Sequence, residues 1–164
     1  MQQRFSRHRG GAVAVLLIVA ASLLTGCASG FESPVLQPYT PGAGVNDRSG
    51  EVYGLNLVVV TTGEGRGTLV ATLLNTAEDE DALVEVEVRP EDDRPVEASL
   101  AGDVPLPPDV LVQLHEEQAV TLSGAGLQPG LFVGVTLRFR RAAPISIQVP
   151  TETTEGPYAE IEVP

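Results

Sequence analysis

The stretch Val84-Glu85-Val86-Glu87-Val88-Arg89 places three valines on one side of an extended chain and three charged residues on the other. Successive side chains of a strand point to opposite faces, so a strict period of two marks a strand half in a core and half in water. The same period recurs on both sides. Upstream, Leu55, Leu57 and Val59 share a face, and beyond the turn Thr62-Gly63-Glu64-Gly65-Arg66-Gly67 so do Leu69, Ala71 and Leu73, which is a hairpin pattern. The acidic turn from Asn75 to Asp81 then leads into the valine stretch. Downstream, Pro90, Pro95, Pro105, Pro107 and Pro108 leave room only for short or edge strands. Alternation resumes over Val110 to Leu114 and at Val120 and Leu122. Past Gln128-Pro129-Gly130, Leu131, Val133, Val135, Leu137 and Phe139 face one way, and Thr136, Arg138 and Arg140 the other. Ile145, Ile147 and Val149 close the set. No segment sustains a period of 3.6 and no internal repeat is present. About seven short strands separated by Gly/Pro turns predict an all-β fold, an antiparallel, immunoglobulin-like β-sandwich over residues 51–150. The tail 151–164 is expected to be loose, although Tyr158-Ala159-Glu160-Ile161-Glu162-Val163 alternates as an edge-docking segment does.

The N-terminal region reads as a targeting signal. Arg4, Arg7 and Arg9 precede an uncharged run from Ala12 to Leu24, the charged and apolar regions of a secretory leader. A bilayer-spanning helix needs roughly 20 apolar residues, so this run is too short to be one. It ends in Leu24-Thr25-Gly26-Cys27, which contains the only cysteine and reads as a lipoprotein cleavage site between Gly26 and Cys27. Residues 1–26 are then a signal peptide and Cys27 carries covalent lipid. Residues 27–50, rich in Ser, Pro and Gly, are expected to be a flexible tether. The expected location is the cell membrane, lipid-anchored on the extracytoplasmic face.

Charge narrows the partners. Beyond residue 26 the chain has seven Arg against 22 acidic residues, a net of −15. Phosphate recognition needs clustered cations, so nucleic acid is excluded as a partner. Adhesion to anionic lipid by charge is excluded as well, and attachment falls to the acyl chains on Cys27. With Cys27 lipidated no thiol remains for a disulfide.

Each candidate site has a plainer reading. His115 with Glu116 and Glu117 begins like a zinc-peptidase pair, but position 119 is Ala where a second histidine is needed. Gly63, Gly65 and Gly67 lie between two strand patterns rather than leading into a helix, so they make a hairpin loop, not a phosphate cradle. The runs Glu78-Asp79-Glu80-Asp81 and Glu91-Asp92-Asp93 lack the ordered spacing of a calcium loop and read as solvated turns. Ser99 and Ser123 have no nucleophile-elbow context, and His115 is the only histidine after the leader. The expectation is no catalytic residue and no enzyme.

Two motifs resemble a known family. Leu74-Asn75-Thr76, an acidic turn and then Leu83-Val84 is similar to the strand ending in Asn-Thr-Gly, acidic turn and Leu-Val of the periplasmic copper chaperones called PCuAC. Their actinobacterial lipoprotein relatives of the LpqE type are more similar still. Leu127-Gln128-Pro129-Gly130, leading into Val135-Thr136-Leu137-Arg138-Phe139 and later Ile147-Gln148-Val149-Pro150, resembles the family's Gly turn and Leu-Thr-Phe strand. The resemblance covers about residues 45–150 and implies a cupredoxin-like β-sandwich. It also implies copper ligands near Ser99, where the family has a His, and near Ala119 and Thr121, where it has a His-x-Met pair. None of the three supplies the sulfur or imidazole that Cu(I) prefers, so the resemblance implies the family fold with the copper ligands missing and no cofactor beyond lipid. His115 is the one weak metal candidate. Two functions follow as expectations: a non-catalytic module contacting an envelope protein or cell-wall component, or a metal chaperone or metal-homeostasis accessory using His115 and carboxylates. Anchoring has a direct check: Cys27→Ala should move the protein from the membrane to the soluble fraction on cell fractionation, and retention in membranes would exclude the lipoprotein reading.

Overall fold

Among the described residues, alternating segments form ten strands: β1 (Val45–Asp47), β2 (Val52–Thr61), β3 (Arg66–Asn75), β4 (Asp81–Pro90), β5 (Glu97–Leu100), β6 (Val104–Leu106), β7 (Leu111–Gln113), β8 (Val120–Ser123), β9 (Phe132–Phe139) and β10 (Ile145–Thr153). The structure, a computed structural model, describes residues 43–91, 94–116 and 118–164. Gly26, Cys27, the signal segment and most of the tether lie outside the described residues, as do Asp92, Asp93 and Glu117.

Hydrogen bonding orders the strands β5-β8-β3-β2-β10-β9-β4-β6, with β1 beside β2 and β7 beside β3. The all-β, sandwich-like expectation holds, with two differences. Ten strands replace about seven because β1, β5 and β6 are only three or four residues long, too short for a period to register. The sheet is also mixed: among the described strands every ladder is antiparallel except Thr151–Thr153 of β10, which runs parallel to Val59–Thr61 of β2, and an isolated bridge between Asn75 and Pro108 is parallel too.

One main core lies between the curled layers. Leu57, Val59, Leu69, Ala71, Leu73, Val120 and Leu122 enter it from one side, and Leu83, Val86, Val88, Val133, Val135, Leu137 and Val149 from the other. Two β-bulges break the strict alternation read from the sequence. In β2, Leu55 pairs with Thr72 and Val58 with Val70, so β2 carries one extra residue, and Asn56 takes φ 52° there. Core-facing positions shift parity, from Val52 to Leu57 and Val59, and Leu55 is left half-buried outside the core. In β4 the register slips between Leu83 and Glu85, so Leu83 rather than Val84 joins Val86 and Val88 in the core. Leu131 precedes β9 and is exposed, so the inward row begins at Val133.

The C-terminal tail is packed rather than loose. A 3-10 turn at Gly156–Tyr158 buries Tyr158 against Val58, Val60 and Val70, the outer face of β2 and β3, with Ala43, Ile161 and Val163 around it. Burial holds the Tyr158 phenol above its ordinary pKa. Gln118 Nε2 donates to Glu162 Oε2 at 3.0 Å and ties the tail to the β7–β8 connection.

Strand directions give the body two ends. The Thr61 end gathers the β2–β3 hairpin, the start of β9 and the end of β10; the Asn75 end gathers the β3–β4 and β9–β10 connections. Asn75 organises the latter. It is 1 % exposed, donates from Nδ2 to the carbonyls of Asp79 at 2.8 Å and Leu106 at 3.0 Å, and accepts the Ala77 N–H at 3.0 Å. Its own carbonyl accepts the Asp109 N–H at 2.9 Å. Asn75→Ala strands the buried Leu106 carbonyl, and urea denaturation should show a loss of about 2–3 kcal/mol with an unchanged slope. A loss under about 1 kcal/mol would mean that the side chain does not hold this end together.

Candidate functional site

Three places in the described residues bear on function. The first is where the resemblance puts its copper ligands. β5 pairs with β8 so that Ser99 stands directly opposite Thr121, and Ala119 lies two residues earlier, just before β8, its carbonyl accepting the Ala101 N–H at 3.0 Å. Antiparallel partners project side chains to the same face. The fold thus brings Ser99 and Thr121 together on the face away from Val120 and Leu122, which are core, while Ala119 is itself buried. The donors offered there are two hydroxyls.

The second is His115, half-buried in the turn after β7. Its carbonyl accepts the Gln118 N–H at 3.2 Å, and its Nδ1 has no hydrogen-bond partner. Glu116 is engaged by Gln113 Nε2 at 2.9 Å. Among the described residues no three His, Cys, Asp or Glu side chains gather as a metal site would require. Ser99 and Ser123 are exposed on β5 and β8. Gly63 and Gly65, at φ 81° and 78°, turn the β2–β3 hairpin, closed by Thr62 N–H donating to the Arg66 carbonyl at 3.2 Å. Positive φ is the conformation that glycine tolerates best.

The third was not legible in the sequence. An acidic cleft of about 320 Å³ opens at the Asn75 end, lined by Glu51, Glu78, Asp79, Asp81 and Arg141 among others. Arg141 Nη1 pairs with Asp79 Oδ2 at 3.1 Å, while Glu78, Asp79 and Glu80 are exposed as a solvated turn. Asp81 differs from them: it is 7 % exposed, and its carboxylate accepts the backbone N–H groups of Ala82 at 2.7 Å, Arg141 at 3.0 Å and Ala142 at 2.8 Å. Burial alone would raise its pKa, but these donors outweigh burial and hold the carboxyl below the ordinary aspartate range. Asp81 therefore closes the β9–β10 turn and acts as a structural anion. In a run of four acids no pattern distinguished it, since its partners are backbone groups about sixty residues away.

The outward face of β4, β9 and β10 is a shallow polar surface. Arg138 Nε lies 3.4 Å from Glu85, Arg89 Nε donates to Glu87 at 2.8 Å, and the Thr136 and Ser146 hydroxyls are 3.2 Å apart. Exposed pairs of this kind contribute little stability. Among the described residues no helix is long and apolar enough to cross a membrane.

No family model matches the chain, and no curated protein matches it. Solved structures do. The copper-bound PCuAC domain from PmoF2 superimposes with a TM-score of 0.52 at 22 % identity, over 66 % of this chain and 98 % of that one. The apo PCuAC domain from PmoF1 gives a TM-score of 0.52 at 20 % identity, over 66 % and 99 %. At these identities the likeness establishes a shared fold.

Asp81 yields a pH prediction. Its folded pKa lies below the unfolded value of about 3.9, so its contribution to stability is present above that value and lost as pH falls through the folded one. Asp81→Asn should lower the urea midpoint at neutral pH, and the gap from the parent protein should narrow below about pH 4. A gap independent of pH would show that charge at Asp81 does not matter.

Proposed function

We propose that this chain is a lipid-anchored, extracytoplasmic, non-catalytic binding module with a PCuAC-like fold, engaging another envelope protein rather than copper. The observation that carries this reading is the Ser99–Thr121 pairing beside Ala119. Two of the family's implied ligand positions face each other across β5 and β8, yet they offer only hydroxyls, and Ala119 is buried in the core. Cu(I) selects thiolate, thioether and imidazole, and a hydroxyl pair has none of these. The absence of Met and of a free thiol beyond Cys27 supports the same conclusion. So does the isolation of His115 from any third metal-ligating group among the described residues.

One observation favours a second reading, metal handling. His115 Nδ1 has no hydrogen-bond partner, so the ring nitrogen has no competitor for a metal. One imidazole with carboxylates suits Cu(II) or Zn better than Cu(I).

Titration of soluble Ala28–Pro164 with Cu(I), Cu(II) and Zn, beside His115→Ala, separates the two. The module reading expects no site tighter than about 1 μM, roughly −8 kcal/mol. A tighter site abolished in His115→Ala would return the protein to metal delivery.

A further inference from the structure

The connection between β8 and β9, residues 124–131, reads Gly-Ala-Gly-Leu-Gln-Pro-Gly-Leu and is uncharged. Every other connection between consecutive strands contains at least one charged residue, in a chain with 22 acids. The uncharged loop also ends in exposed apolar side chains, Leu131 at 43 % and Phe132 at 49 %. It is held at the Thr61 end, where the Thr151 N–H donates to the Leu131 carbonyl at 2.8 Å and the Gly130 N–H to the Thr151 carbonyl at 2.7 Å. The chain enters the described body at this same end. β1 runs antiparallel to β2 with Val45 opposite Leu57, so stepping back from Val45 leads toward Thr61, and Ala43 packs on Val58, Val60 and Tyr158.

We propose that the Gly124–Phe132 loop is a membrane foot, in which Leu131 and Phe132 enter the interfacial layer of the lipid surface that holds the anchor. This rests on the lipid-anchored reading of Cys27. Residues 28–42 separate Cys27 from the body; as the flexible tether expected from the sequence, fifteen residues would reach roughly 20 Å and keep the end bearing the loop within reach of the headgroups. An interface takes up Leu and Phe readily, whereas a buried unpaired carboxylate is costly. The uncharged loop is therefore the one connection that can settle there without losing hydration of an ion. Glu91 follows Pro90, which pairs with Val133, so the contact is confined to the loop and does not spread across the end of the body. The net negative charge gives no attraction to anionic lipid, and zwitterionic lipid is the appropriate surface.

The chain has no tryptophan, so Phe132→Trp introduces a sole indole reporter. The full chain, lipidated in a bacterial host and checked by mass, is reconstituted into phosphatidylcholine vesicles with brominated acyl chains. Leu111→Trp is the control, because Leu111 is 61 % exposed and pairs with Leu74 toward the Asn75 end. The expected result is a blue shift and strong quenching for Phe132→Trp, with Leu111→Trp unshifted and unquenched. Equal quenching at both positions, or none at Phe132→Trp in lipidated protein, overturns the foot and leaves the anchor standing. Protein without lipid on Cys27 that stays out of the vesicles overturns the anchored reading and the foot with it.

Discussion

Strand β10 is hydrogen-bonded to both layers, and the rest of the architecture depends on that double pairing. Ile145 to Pro150 runs antiparallel to β9, and Thr151 to Thr153 then runs parallel to β2. The switch follows Pro150, whose missing N–H removes one donor where the old partner is being left. Thr151 is fully buried there, its backbone satisfied by Leu131 and Gly130 and its hydroxyl without a partner. The N-terminal hairpin β2–β3 and the C-terminal hairpin β9–β10 thereby become one continuous sheet around one core. That pairing joins segments from opposite ends of the domain, the kind of non-local contact whose loop-closure cost slows folding.

How much of this was legible follows from what a period of two can encode. β3 and β9 kept it, so Leu69, Ala71 and Leu73, and Val133 through Phe139, were read on the correct face. A bulge leaves no mark in hydrophobicity, because the extra residue can be of any type. Asn56 at φ 52° tolerates that conformation as asparagine often does, yet nothing in Leu55-Asn56-Leu57 says which leucine faces the core. Val84 was misplaced for the same reason. The parallel joint was hidden because strand direction depends on topology, and the Tyr158 packing because its partners Val58, Val60 and Val70 are far away in sequence.

The candidate positions show how scaffold and chemistry separate. Register alone sets Ser99 against Thr121, whatever side chains those positions carry, because backbone hydrogen bonds fix it. Ligand chemistry depends on the side chains alone. Register and donor chemistry are thus set independently, so likeness of fold to a copper-bound domain does not by itself transfer copper binding.

The charge of this body bears on how other molecules approach it. At physiological ionic strength exposed charges act over about 8 Å, so a net of −12 slows the approach of acidic molecules and speeds that of basic ones without selecting among them. The acids at the Asn75 end are partly committed: Asp79 to Arg141, and Asp81 to backbone N–H groups that define the β9–β10 turn. What remains free for steering, Glu78 and Glu80 with Glu51 nearby, sits on or beside the loop pinned by Asn75. The same buried amide that closes this end of the sheet therefore fixes where that charge is displayed.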